Sequence, residues 1–154
     1  MKLLAVDPGV RAQGWALFVG DRLTQCGLAS VETQPLLHDA LLELHNALGN
    51  VDKLVVEIPQ VYQQRHLKGD PNDLIDVAVS VGMVVATMPH KELKLVRPRD
   101  WKGTCPKKIH NQRVLALLTE KENSVLNTCG VIPSLRHNVI DAIGIGQWAL
   151  RRRR

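Results

Sequence analysis

The sequence predicts an α/β layer fold: a mixed five-stranded sheet flanked by helices. Two observations carry that prediction. Lys2–Val6 (KLLAV) and Lys53–Ile58 (KLVVEI) are short apolar runs, which suits central strands buried on both faces. Hairpin signals dominate the first thirty residues and helical spacing alternates with strands afterwards, a pattern that implies helices layered on a sheet.

Each element follows in order. KLLAV runs into the turn Asp7-Pro8-Gly9, and Gly14–Val19 and Leu23–Ala29, separated by Gly20-Asp21, continue an antiparallel meander. Leu36, Leu37, Ala40, Leu41, Leu44, Ala47 and Leu48 fall at helical spacing, stopped by Gly49-Asn50. After the KLVVEI strand and Pro59, a helix is expected from Asp70–Asp73 to about Met88, with Leu74, Val77, Ala78, Val81, Val84 and Val85 facing inward. Leu93–Val96 is read as a third central strand and 97–108 as a proline- and lysine-rich loop. Ile109–Glu122 and Asn138–Leu150 complete the set as two amphipathic helices.

Length and composition narrow the function classes. The chain has 154 residues, 45% apolar and 23% charged, which fits one soluble domain over residues 1–150 followed by a basic tail, 151–154. No apolar stretch reaches the roughly 20 residues of a membrane span, and no secretory signal opens the chain, so a cytoplasmic protein without a membrane partner is expected. Cys26, Cys105 and Cys129 cannot all pair and form no C-x-x-C, which argues against a disulfide framework or a cysteine zinc site. The net charge is +5, yet Arg151–Arg154 supply +4, and residues 91–113 hold eight Lys or Arg against two acids. A basic segment and a basic tail on a mildly acidic body suggest a polyanion partner, with a solvated loop as the plain alternative.

Open α/β sheets bind ligands beyond the carboxyl ends of their strands. Asp7 and Glu57 occupy that position, and parallel pairing of their strands would bring them out side by side. Asp141 lies among Val139, Ile140, Ala142, Ile143 and Ile145 near the start of the last helix, with Asn138 and His137 three and four residues earlier on the same face. A turn cap is the plain reading of Asp7, a salt bridge that of Glu57, and a favourable helix-terminus charge that of Asp141. Three carboxylates in apolar settings are more economically explained by a hard cation, Mg²⁺ or Mn²⁺.

These residues resemble a known family. VDPGVRAQGWALF, VVEIPQVYQQR, KGDPNDLIDVA, PRDWKGTCPKK and RHNVIDAIGIGQW together resemble the RuvC family of Holliday-junction resolvases, closest to the phage-type members of that RNase H-like superfamily. The resemblance covers nearly the whole chain. It implies an RNase H-like fold and a homodimeric, magnesium-dependent endonuclease that nicks opposed strands of four-way DNA junctions in recombination and repair. It also implies that Asp7, Glu57 and Asp141 bind metal. The family's fourth metal-site residue, Asp or sometimes His, is here Asn138, with His137 beside it as a further candidate ligand.

The reaction implied is phosphodiester hydrolysis at two metal ions, giving 5′-phosphate and 3′-hydroxyl ends. By the same resemblance Lys102 and one of Lys107 and Lys108 hold the scissile phosphate, with Trp101 on the same DNA-facing loop. Tyr62, Gln63, Gln64, Arg65 and Lys68 follow Glu57 and are expected at the junction's exchange point, where Tyr62 would stack on a base. Trp15 and Trp148 are read as core residues. His38, His45, His66, His90 and His110 show no ligand spacing and receive no role. The helix at 70–88 is a candidate dimer interface as well as a cover for the sheet. Two alternatives stay open: an RNase H-like nuclease for other branched DNA or RNA substrates, and a junction-binding protein whose site is degenerate at Asn138.

Overall fold

The computed structural model describes residues 1–61 and 70–152. In chain order its elements are β1 (Lys2–Asp7), β2 (Ala12–Val19), β3 (Arg22–Ser30), a 3₁₀ turn at Gln34–Leu36, α1 (Leu37–Leu48) and β4 (Val51–Glu57). Then come α2 (Pro71–Thr87), β5 (His90–Val96), α3 (Pro98–Trp101), α4 (Lys107–Ala116), α5 (Glu120–Asn127) and α6 (Arg136–Ala149). The strands form one five-stranded mixed sheet in the order β3-β2-β1-β4-β5, as expected. β1, β2 and β3 pair antiparallel, whereas β4 pairs parallel with both β1 and β5.

Strand alternation divides the core in two. Leu3 and Ala5 of β1 and Val55 of β4 pack towards α4, α5 and α6, whereas Leu4, Val6, Leu54 and Val56 pack towards α1 and α2. α6 is buried on every side from Val139 to Gln147, so its sequence is apolar around the whole circumference rather than along one stripe. Glycines let it sit so deep. A Cβ on Gly146 would overlap the Phe18 ring, and one on Gly144 would stand 2.8 Å from the Trp101 ring and 3.1 Å from His110 Nε2.

Three expectations need correction. β5 is an edge strand, not a central one: nothing pairs beyond it among the described residues, and Leu93 and Leu95 are exposed on the α1–α2 side. The helix expected over 109–122 breaks after Ala116, because Thr119 starts α5 with a capping box. Its hydroxyl accepts the Glu122 N–H at 3.3 Å while the Glu122 carboxylate accepts the Thr119 N–H at 2.9 Å. In α2, Asp70 caps the Asn72 N–H at 2.9 Å and Val81 and Val84 are buried as expected, but Ala78 faces outward.

The last residues are not a loose tail throughout. Arg152 makes a paired contact to Glu122, Nη1 to Oε1 at 2.8 Å and Nη2 to Oε2 at 2.9 Å. Glu122 also accepts the Leu23 N–H at 2.8 Å, so one buried carboxylate ties α5, β3 and the C-terminus together. Among the described residues no helix is long and apolar enough to cross a membrane.

Candidate active site

Asp7 is the last residue of β1 and pairs across the sheet with Gly14 of β2. Gly14 is the reason α6 reaches this point, since a Cβ there would overlap the Asn138 carbonyl group. The first turn of α6 therefore lies directly over the end of β1, and Asp141 follows one turn later. In the parallel pair β1–β4, Val6 stands opposite Val56, so Asp7 and Glu57 leave neighbouring strands at the same level. Both continue the alternation of Ala5 and Val55, which assigns them to the α6 side of the sheet. The turn after Asp7 is braced by buried Gln13, whose side chain accepts the Gly9 N–H at 3.1 Å and donates to the Gly9 carbonyl.

The electrostatics report the crowding of these acids. Burial, then the negative charges of Glu57 and Asp141, push the Asp7 carboxyl well above the usual carboxylate range, with Lys102 and Lys107 pulling the other way. Burial likewise raises Glu57, opposed by Lys102 and by its hydrogen bond from Trp101. Asp141 is only 7% exposed, and its Oδ1 has no hydrogen-bond partner among the described residues. A buried carboxylate oxygen without a donor is costly, and a cation or an ordered water is the usual remedy.

The site does not, however, gather a ligand set. Among the described residues no three His, Cys, Asp or Glu side chains stand close enough together to hold one metal ion. Joint coordination by Asp7, Glu57 and Asp141 is therefore not formed in this arrangement. Glu57 has other partners: Trp101 Nε1–H donates to its Oε2, and Lys102 Nζ lies 3.8 Å from the same oxygen. Asn138 and His137 occupy the first turn of α6 and are half-buried.

The loop residues divide by depth. Lys107 and Lys108 are exposed at the start of α4, and the pull of Lys107 on Asp7 makes it the nearer lysine of the two to the acids. Trp101, expected on the DNA-facing side, is instead buried against Val96 and α6. The short α3 turns it inward, fixed by the Asp100 carboxylate accepting the Arg97 N–H at 2.9 Å. Its indole is a support for Glu57 and leaves little face for a base. Tyr62, Gln63, Gln64, Arg65 and Lys68 lie outside the described residues.

His110 shows no ligand spacing in the sequence, yet it is buried within the field of Asp141. Its ring meets Trp101 edge-on at 4.8 Å between centroids, and its Nε2 has no partner among the described residues. Burial lowers its pKa while the Asp141 charge raises it, which places it in the field of Asp141. The usable signal was the four-residue spacing of His110 and Val114, both buried on one face of α4. Trp15 packs on the α1–α2 side of the core, and Trp148 is partly buried on the other.

No protein-family model matches the chain. A 55-residue stretch is 42% identical to the crossover junction endodeoxyribonuclease RuvC of Nitrobacter hamburgensis, covering 33% of this chain and 32% of that protein. The match thus spans about a third of the curated relative's length. Among solved structures, Thermus thermophilus RuvC superimposes with a TM-score of 0.60 at 18% identity, over 97% of this chain and 94% of the other. T. thermophilus RuvC in complex with a Holliday junction substrate gives 0.57 at 16% identity over the same shares. The yeast mitochondrial Holliday junction resolvase Ydc2 gives 0.62 at 14% identity, over 97% of this chain and 78% of the other. At these identities the likeness is one of fold: the chain shares the fold of these solved resolvases, a mixed five-stranded sheet flanked by helices.

Proposed function

We propose that the protein is a structure-selective endonuclease that resolves four-way DNA junctions by metal-dependent hydrolysis, in the cytoplasm of a bacterial or phage-infected cell. Residues 1–150 are read as one nuclease domain. The observation that carries the proposal is the set of Asp7, Glu57 and Asp141 at one sheet edge, mutually repelling, on a fold shared with junction resolvases. Carboxylates so crowded are relieved by a proton or a cation, and an all-oxygen set favours Mg²⁺, with Mn²⁺ as a substitute. Asp7, Glu57 and Asp141, with Asn138 and His137, are the residues that would hold two such ions. Doing so requires their side chains to draw closer than they stand here.

Ions held by these residues would supply a water of lowered pKa and offset charge on the leaving oxygen. Hydrolysis would join the water oxygen to phosphorus as the bond to the 3′ oxygen breaks, with a proton from the water ending on that oxygen, to leave 5′-phosphate and 3′-hydroxyl ends. Lys102 and Lys107, with Lys108 beside them, would seat the scissile phosphate. Trp101 would orient Glu57 through its indole N–H, and Gly14 keeps Asp141 within reach of Asp7.

Paired nicks call for two sites related by symmetry. The outward face of α2 supports a homodimer: Ile75, Ala78, Val79, Gly82 and Ala86 are exposed at helical spacing and form a small, apolar stripe. Sedimentation should find a dimer, and Val79→Asp should shift it to monomer.

A second reading, a junction-binding protein without cleavage, is favoured by Asn138, an amide where the resemblance implies a charged or imidazole ligand. Offering four-way, Y-shaped, duplex and RNA–DNA substrates side by side in Mg²⁺ separates the two. The nuclease reading expects paired nicks in the four-way substrate first. Tight binding without nicking, and no gain with Asn138→Asp, would establish the second.

A further inference from the structure

At the foot of α6, away from the carboxylates, Lys94, Trp148, Ala149, Arg151 and Arg152 line an open cleft of about 380 Å³. We propose that this cleft seats backbone phosphates of a DNA strand that leaves the active site along the open β5 edge. The inference rests on the nuclease reading and extends it to a second contact.

Lys94 pairs with Val55, whose side chain points into the α6-side core, so Lys94 faces α6. Two residues further along the same strand, Val96 pairs with Glu57. Lys94 therefore stands roughly 7 Å along the edge from the acids, about two nucleotides of duplex rise. Because β5 is an edge strand, no neighbouring strand blocks the way among the described residues. Lys94 Nζ sits 4.3 Å from the Trp148 ring centroid, which fixes the cation on an aromatic floor.

The chemistry of the cleft favours an anion. A helix C-terminus ordinarily repels one, but here the last carbonyls are occupied. Those of Gly146, Gln147 and Trp148 accept the N–H groups of Leu150, Arg152 and Arg151 at 3.0, 2.9 and 2.9 Å. Arg151 turns out of the helix at φ 55° and is exposed. Arg152 is neutralised by Glu122 and acts as a wall, and the Lys53–Glu92 pair beside Lys94 is likewise balanced. Of the cations that line the cleft, Lys94 and Arg151 are the two without an acidic partner among the described residues.

The test is the salt dependence of binding to a synthetic four-way junction by the wild type, by Lys94→Gln/Arg151→Gln, and by Arg22→Gln/Gln25→Glu. The last pair makes the same change in net charge on β3, the far edge of the sheet. Loss of two phosphate contacts should flatten the slope of log K against log salt by about 1.8 and weaken binding on the order of tenfold near 0.1 M salt. The β3 pair should keep the wild-type slope. Equal slopes in the Lys94/Arg151 variant and a wild type that binds junctions would overturn the cleft alone. A wild type that does not bind junctions would overturn the nuclease reading and the cleft together.

Discussion

Asp7 is the residue on which the proposed chemistry turns. Its carboxyl is raised well above the ordinary range by burial and by two neighbouring acids, and a bound cation would favour its charged form. The acid limb of cleavage should therefore lie above the ordinary carboxylate range and move to lower pH as Mg²⁺ is increased. An acid limb indifferent to Mg²⁺ would remove Asp7 from metal binding. Trp101→Phe keeps the buried ring but deletes the donor to Glu57. It should lower kcat at least tenfold with little change in junction affinity, whereas a loss in affinity alone would make Trp101 a DNA contact. Asp7 and Glu57 were legible in the sequence because each ends an apolar run, and Asp141 because apolar residues surround it. The partners of Glu57 were not legible: Trp101 arrives through a four-residue helix, and nothing local in PRDWKGTCPKK says which way its indole turns.

The elements hold the site by close approach and by a few buried polar ties. Gly14→Ala would drive a methyl group into the Asn138 backbone, which has no rotamer to yield. It should cost at least about 3 kcal/mol, measured by chemical denaturation, and abolish nicking as α6 lifts from β1. The Glu122 tie is testable by pH. Burial alone would raise its carboxyl, but Arg152, Thr119 and Leu23 outweigh it and hold the pKa at about 2 against an ordinary 4.5. A depressed folded-state pKa means that this contribution is complete above about pH 4.5 and is lost as pH falls towards 2. Arg152→Ala should remove about 3 kcal/mol at neutral pH and flatten that acid dependence; an unchanged melting temperature would make the pair incidental. Period and turn chemistry made four strands and α2 legible to within a residue or two. The α4–α5 break was also written locally, in Thr119-Glu120-Lys121-Glu122, and was masked by the apolar Leu117 and Leu118 continuing the helical pattern across it. The edge position of β5 was written locally as well, since Lys91, Glu92 and Lys94 place charges in HKELKLV that a strand buried on both faces would not carry.

Across the whole molecule, charge is segregated and so is exposed apolar surface. The acids sit at the sheet's carboxyl edge, flanked by Lys102 and Lys107, while the apolar stripe of α2 lies in the layer on the opposite face. That arrangement suits two copies joined through α2, each presenting its own cationic rim to one DNA molecule. Lys107→Ala with Lys108→Ala should weaken junction binding and reduce the salt slope by up to about 1.8, and an unchanged slope would leave that loop outside the interface. The most direct trial compares nicking of a synthetic four-way junction by the wild type and Asp7→Asn, in Mg²⁺ and in chelator. Paired, opposed nicks bearing 5′-phosphates should form only with the wild type in Mg²⁺, while Asp7→Asn still binds the junction. Nicking that survives either the chelator or the substitution would contradict a cation held by the strand-end carboxylates.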